Sequence, residues 1–328
     1  MSFSREVKEE LSRLLPKARH CQIAEIAAII SLCGTIEPEE AGGYSIKINT
    51  ENLTVARKYF MLVKETFHGE VTIQARQGLH GKGHGGYTLT LEDRNVTEKI
   101  LEATKLIDLD GNLYQEDAIV RNLIIQNTCC KRAFIRGAFL ACGSMSDPEK
   151  TYHFEIIMPT MGKARQIQDM IRFFDVDAKI VVRKKYYVVY VKDGSQIVDV
   201  LNIMEAHKAL MDLENVRILK EMRNSINRKV NCEAANINKT VTAASKQLED
   251  IRYIEKTVGF GDLTPGLEEI ARLRMEQPDA SLKELGSMLS KPIGKSGVNH
   301  RLRKLSEIAE NLRAQKEEKE HGDEEDYN

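Results

Sequence analysis

Ile26-Ala27-Ala28-Ile29-Ile30-Ser31-Leu32-Cys33-Gly34 and Ile135-Arg136-Gly137-Ala138-Phe139-Leu140-Ala141-Cys142-Gly143 stand 109 residues apart and carry one pattern. Each is mostly apolar with small residues interspersed, and each ends in Cys-Gly. Small side chains at helical spacing let two helix backbones approach closely, and a terminal glycine can take the left-handed conformation that stops a helix. The repetition predicts a duplicated unit whose two helices pack together. Taken alone, nine residues would also suit two unrelated buried helices, so the elements around them decide.

Those elements repeat in order. After Gly34 the chain reads as a short strand, a turn at 39–43, an alternating strand at 44–50 and a helix at 53–67. Strands at 70–76 and 87–92 flank a glycine-rich loop, and a helix over 96–107 closes the unit. After Gly143 come a strand at 152–158, a helix at 161–174, a hairpin of 177–183 with 186–192, and a closing helix at 195–204. Both halves are assigned the order αββαββα, six of the seven elements being read in the second. The fold class expected is therefore α+β, a duplicated αββαββα domain over 20–205 with repeats at about 20–108 and 129–205. A short amphipathic helix precedes it within 1–19.

The bulk numbers set the class. A chain of 328 residues, 42% hydrophobic and 30% charged, has room for two or three ordinary globular domains. Net charge is −1, so nucleic-acid binding cannot be read from the whole-chain balance. The N-terminus is polar, and no apolar run approaches the ~20 residues of a membrane span, which predicts a cytoplasmic protein with no membrane partner. The six cysteines (Cys21, Cys33, Cys129, Cys130, Cys142 and Cys232) form no Cys-x-x-Cys pair. In a reducing compartment they read as buried thiols, not disulfides or metal ligands, and no cofactor is expected.

Residues 206–260 read as a helical connector with an apolar stripe at Val241, Ala244, Leu248, Ile251, Ile254 and Val258. Residues 314–328 hold seven acids against two lysines, a composition that predicts a disordered tail. Between them, 261–313 suits an all-α helix-turn-helix domain. Thr264-Pro265 starts one helix with a capping hydroxyl, and Ser281-Leu282-Lys283-Glu284 is a capping box for the next. Ser296 is placed to cap a third helix, whose inner stripe is Val298, Leu302, Leu305, Ile308 and Leu312. That stripe turns Asn299, His300, Arg301, Arg303 and Lys304 outward. From Lys291 to Lys304 there are five Lys/Arg and no acid. In such motifs the start of the third helix enters the major groove of double-stranded DNA. Asn and Arg read bases, while lysines and Ser hold phosphates. Lys291, Lys295, Ser296, Asn299, His300, Arg301, Arg303 and Lys304 are the predicted contacts. A solvated basic face on a protein-interaction bundle is the plainer alternative.

Both Cys-Gly segments resemble the LAGLIDADG motif of homing endonucleases, in which a duplicated αββαββα unit forms a saddle over DNA. With the C-terminal helix-turn-helix, the chain resembles the WhiA family of bacterial regulators over nearly its full length. The resemblance rests on Ser2–Leu11 (SFSREVKEEL), Arg132–Leu140 (RAFIRGAFL), Asp147-Pro148-Glu149-Lys150, and residues 295–304 (KSGVNHRLRK). It implies a link to cell division, chromosome segregation or sporulation, and a place at the nucleoid.

The resemblance to the nucleases breaks at the chemistry. Their motif carries a metal-binding acid just before the final glycine of each repeat, and here those degenerate positions are Cys33 and Cys142. Magnesium requires hard oxygen ligands, and two-metal hydrolysis needs both ions placed. Glu37 and Asp147 are the nearest acids past the motifs. The loop holding Arg76 and Lys82, and the equivalent tip Arg183-Lys184-Lys185, offer basic groups that could touch phosphates. The expected protein is a non-enzymatic, sequence-specific DNA-binding regulator of transcription. Two other readings stand beside it: an adaptor whose first domain binds another regulator or RNA polymerase, and an active metal-dependent endonuclease.

Overall fold

The computed structural model describes residues 2–40, 42–76, 85–108, 110–114 and 117–325. They form two compact units that divide between Glu221 and Met222.

In the first unit, helix α1 (Phe3–Arg13) precedes two copies of one arrangement. The first copy runs α2 (Arg19–Cys33), β1 (Gly34–Pro38), β2 (Tyr44–Thr50), α3 (Leu53–Phe67), β3 (Val71–Arg76), β4 (Gly86–Leu91) and α4 (Arg94–Ala103). The second runs α5 (Thr128–Cys142), β5 (Gly143–Met145), β6 (Phe154–Met158), α6 (Met161–Arg172), β7 (Lys179–Arg183), β8 (Tyr186–Val191) and α7 (Gly194–Met204). Each copy builds an antiparallel four-stranded sheet, in the order β1-β2-β4-β3 and β5-β6-β8-β7. The α+β duplication expected from the sequence is the fold found. Even the helix caps recur: Asp93 opens α4 and Asp193 opens α7, each carboxylate accepting backbone N–H groups of the first turn.

The two copies join through α2 and α5. Gly137 lies where a Cβ would come 2.9 Å from both the Ala28 Cβ and the Glu25 carbonyl, so only glycine allows this approach. The middle of each helix is buried, Ala24 and residues 26–30 on one side and residues 133–140 on the other. Gly34 and Gly143 do not take the left-handed conformation expected of them. Both are extended (φ −95° and −88°), passing straight from helix to strand. A Cβ at Gly34 would sit 2.4 Å from the Ile30 carbonyl oxygen, and one at Gly143 would meet Phe139. The glycines are required by close packing of the exit, not by sign of φ.

Inside this apolar pair sits an ion cluster. Glu25, completely buried on α2, accepts from Arg136 of α5 (3.1 and 3.2 Å) and pairs with Lys58 of α3 at 3.0 Å. Arg136 also reaches Glu205 at 2.8 Å and the Met204 carbonyl at 3.3 Å, at the end of α7. Lys58 donates to the carbonyls of Leu11 and Leu14 behind α1. Burial lowers the basicity of both cations. For Lys58 it prevails, whereas for Arg136 the carboxylates Glu25 and Glu205 outweigh it. Two acids and two bases thus tie α1, α2, α3, α5 and α7 to one point.

Helix α8 (His207–Thr257) begins in the first unit and ends in the second. Its first-turn N–H groups at Lys208 and Ala209 donate to the Glu10 carboxylate of α1, and Ala209 and Leu213 enter the first core. At its other end Ile251 and Ile254 enter the second. The segment read as a connector therefore supplies both cores. Of its expected stripe, Val241 and Val258 are exposed.

The second unit packs that end of α8 with α9 (Pro265–Glu276), α10 (Leu282–Met288) and α11 (Lys295–Glu325). Where composition predicted a disordered tail from 314, α11 continues as helix to Glu325. Ala, Gln, Lys and Glu are good helix formers, and extending a helix already nucleated in a packed domain avoids the cost of starting one.

Glu25→Ala leaves Lys58 and Arg136 buried without their shared carboxylate and is expected to cost about 3–5 kcal/mol of stability. Urea unfolding of the full chain followed by circular dichroism measures it.

Candidate nucleic-acid interface

The basic segment is carried by α11, and its presentation begins with the three helices beneath it. The capping box at α10 forms as its spacing requires: the Ser281 N–H donates to Glu284 (2.8 Å) and the Glu284 N–H donates to Ser281 Oγ (3.3 Å). At α9 the proline occupies the first turn, but the Thr264 hydroxyl makes no capping bond; the Leu267 and Glu268 N–H groups donate to the Thr264 carbonyl instead. The turn from α10 to α11 folds back across Gly286. The Ile293 N–H donates to the Gly286 carbonyl (3.1 Å), and a Cβ on Gly286 would lie 2.2 Å from the Ile293 carbonyl oxygen. Glu269 of α9 fastens the same turn by accepting the Ser290 N–H at 2.6 Å, and that bond holds its carboxyl below the usual range.

Val298, Leu302, Leu305 and Ala309 face the core, while Ile308 and Leu312 are half-buried at its edge. Helix α11 starts at Lys295, one residue before the expected cap. Ser296 is therefore in the first turn and exposed, since the turn ending at Gly294 already accepts the N–H groups of Gly297 and Val298. Lys291, Lys295, Asn299, His300, Arg303 and Lys304 are also exposed. By the 3.6-residue period, Ser296, Asn299, His300 and Arg303 share the middle of the outer face, with Lys295 and Lys304 on its flanks. Lys283 on α10 is exposed as well.

Arg301 departs from the sequence reading. It is half-buried, donates to the Gly266 carbonyl at 3.3 Å and lies over that glycine, so it braces α11 against the start of α9. Two further groups escaped sequence reading because nothing local marks them. Arg274 is buried, joining Gln247 of α8 (3.0 Å) to the Ala280 carbonyl (2.6 Å), and Asp250 of α8 is buried against Arg313 of α11 at 2.8 Å.

In the first unit, the degenerate motif positions come together. Cys33 and Cys142 end α2 and α5 half-buried, with Cys142 Sγ 3.9 Å from the Leu32 carbonyl oxygen; the neighbouring Cys142 thiol, then burial, pushes the Cys33 thiol far above the ordinary range. The Lys8 ammonium of α1 faces both thiols, its basicity lowered by burial and supported by them. Two thiols beside an ammonium do not fit a magnesium ion, which seeks carboxylate oxygens and is repelled by a neighbouring cation. The acids nearest in sequence are engaged elsewhere. Glu37 pairs with Lys47 across the β1–β2 ladder at 2.7 Å, and Asp147 accepts the Glu149 N–H at 3.0 Å within a turn.

At the second hairpin tip, Arg183, Lys184 and Lys185 are exposed. Arg183 pairs with Glu155 at 3.2 Å, and Lys185 stacks on Tyr186. Lys184 turns the chain at φ 56°. At the first tip the backbone of Arg76 ends β3, and Lys82 lies outside the described residues. The cysteine pair before the second motif is only half as expected: Cys130 is buried, whereas Cys129 is exposed in the first turn of α5.

Comparison with known proteins matches three successive family models: the WhiA N-terminal LAGLIDADG-like domain over 19–107, the WhiA LAGLIDADG-like domain over 131–223, and the WhiA C-terminal HTH domain over 226–309. A "Probable cell division protein WhiA" of Lachnoclostridium phytofermentans is 59% identical over 313 residues, covering 95% of this chain and 100% of that protein. Its counterpart in Alkaliphilus oremlandii is 51% identical over 317 residues, covering 95% and 98%. The crystal structure of full-length DUF199/WhiA from Thermatoga maritima shares the fold, with a TM-score of 0.59 at 22% identity over 95% of this chain and 99% of that one. Among the described residues no helix is long and apolar enough to cross a membrane.

Gly286→Ala forces the turn before α11 away from α10 and is expected to cost about 1–3 kcal/mol. Thermal unfolding of the full chain checks it.

Proposed function

The chain belongs to the WhiA family, and from that premise we propose that it is a transcription regulator of the cell-division programme that reads double-stranded DNA through α11. One observation carries the reading: Ser296, Asn299, His300 and Arg303 share an exposed helix face, within a segment of five Lys/Arg and no acid from Lys291 to Lys304. A helix enters the major groove by its N-terminal turns, where Asn pairs with adenine and Arg with guanine through two hydrogen bonds each. Lys291, Lys295 and Lys304 flank that face as phosphate contacts, and the Ser296 hydroxyl adds another. Arg301, spent on Gly266, positions the helix and does not read a base.

The first unit then serves as architecture and as a second contact surface, without nuclease chemistry. The ammonium of Lys8 against Cys33 and Cys142 supports this, because it disfavours the divalent ion that phosphodiester hydrolysis needs. The exposed tip at Arg183, Lys184 and Lys185 supplies phosphate contacts there. The protein works at the nucleoid in the cytoplasm.

Duplexes selected from a random library by the full-length protein provide the test. Asn299→Ala or Arg303→Ala is expected to weaken the selected duplex by ~1–3 kcal/mol while scarcely changing non-specific binding. Lys295→Ala should weaken all sequences and reduce the slope of log affinity against log salt by about one. Unchanged affinity in the Asn299/Arg303/Lys304 triple alanine variant would remove α11 as the reading element.

A further inference from the structure

The N-terminal ends of α2 and α5 hold a cluster that the DNA-binding reading does not use. His20 and Cys21 occupy the first turn of α2, and Cys129 and Cys130 the first turn of α5. The Nδ1 of His20 and the three Sγ atoms all lie within 4.8 Å of one another. The His20 Nδ1 is 3.1 Å from Cys130 Sγ, 3.4 Å from Cys21 Sγ and 3.9 Å from Cys129 Sγ. Zinc bound tetrahedrally at its usual bond lengths sets nitrogen and sulfur about 3.5 Å apart and two sulfurs about 3.8 Å apart. The observed nitrogen–sulfur distances bracket that edge.

We propose that His20, Cys21, Cys129 and Cys130 form a structural zinc site that clamps the two halves of the first unit together. The repeat itself builds it. His20-Cys21 and Cys129-Cys130 are separated by the same 109 residues as Cys33 and Cys142, so the packing of α2 on α5 brings one ligand pair from each copy to one place. Three thiols and an imidazole form a soft, four-ligand, closed set, which selects zinc over magnesium or calcium. Both pairs sit at helix N-termini, where the backbone dipole favours thiolates. Binding of a divalent ion among the sulfurs displaces their protons to solvent. Cys21 and Cys130 are buried, while His20 and Cys129 are exposed, which leaves the ion an entry path from solvent.

The test uses full-length protein kept reduced throughout. Metal analysis should find one zinc per chain after dialysis. Cobalt titrated into zinc-free protein should give the ligand-field bands of a tetrahedral site together with thiolate-to-cobalt charge transfer. Cys129→Ser alters an exposed side chain, so the fold is kept, as circular dichroism would verify. It should weaken cobalt binding by at least about tenfold and reduce the charge-transfer band. Cys232→Ser, on the exposed middle of α8, should change neither. Bound zinc should also protect Cys129 from alkylation and raise the midpoint of thermal unfolding. Absence of stoichiometric metal with no tetrahedral cobalt spectrum would overturn the site. So would a spectrum that survives the Cys129/Cys130 double serine variant, or alkylation of Cys129 that proceeds equally fast with and without zinc.

Discussion

The Glu25 carboxylate, held between Lys58 and Arg136 at the centre of the first unit, is the contact on which the duplicated fold depends. All three groups are buried, and Glu205 brings the cluster to charge balance. Replacing such a cluster by apolar side chains is often neutral, so its value lies in geometry as much as energy. Any slip of α2 against α5 would strand a charge in an apolar core. The cluster thereby sets the register in which Gly137 meets Glu25 and Ala28, and a close helix pair in that register is what sets the two sheets.

The same register has consequences at both ends of the helix pair. At the C-terminal ends it brings Cys33 and Cys142 together beneath Lys8, and at the N-terminal ends it gathers His20, Cys21, Cys129 and Cys130. One end is hostile to a hard cation and the other suits a soft one. Duplication explains the symmetry: each pair meets its own counterpart across the interface between the copies.

In the second unit the burden falls on backbone economy. Gly286 lets the turn pass over α10, Glu269 fastens it, and Arg274 and Arg301 brace the helices around it. What remains outward on α11 is a set of polar and basic groups on a rigid helical backbone, so that binding has only side chains to order.

The duplication, the helix order and the basic face of α11 were legible in the chain because each is a local pattern: apolar spacing, a repeated order of elements, a capping box, a run without acids. Errors of local reading arose where packing geometry decides, whether one helical turn back or on another helix. The extended Gly34 answers to the Ile30 carbonyl as the chain leaves the helix, and Arg301, outward by periodicity, turns to Gly266 on another helix. Burial of Glu25, Lys58, Arg136 and Arg274 carried no local signal at all, since charged residues on a helix ordinarily face water. The sequence by itself determined which segments form and that two of them are copies. Only the tertiary structure decided which charges are buried together and which thiols converge, because both follow from the distance between α2 and α5, a quantity that no local stretch of sequence contains.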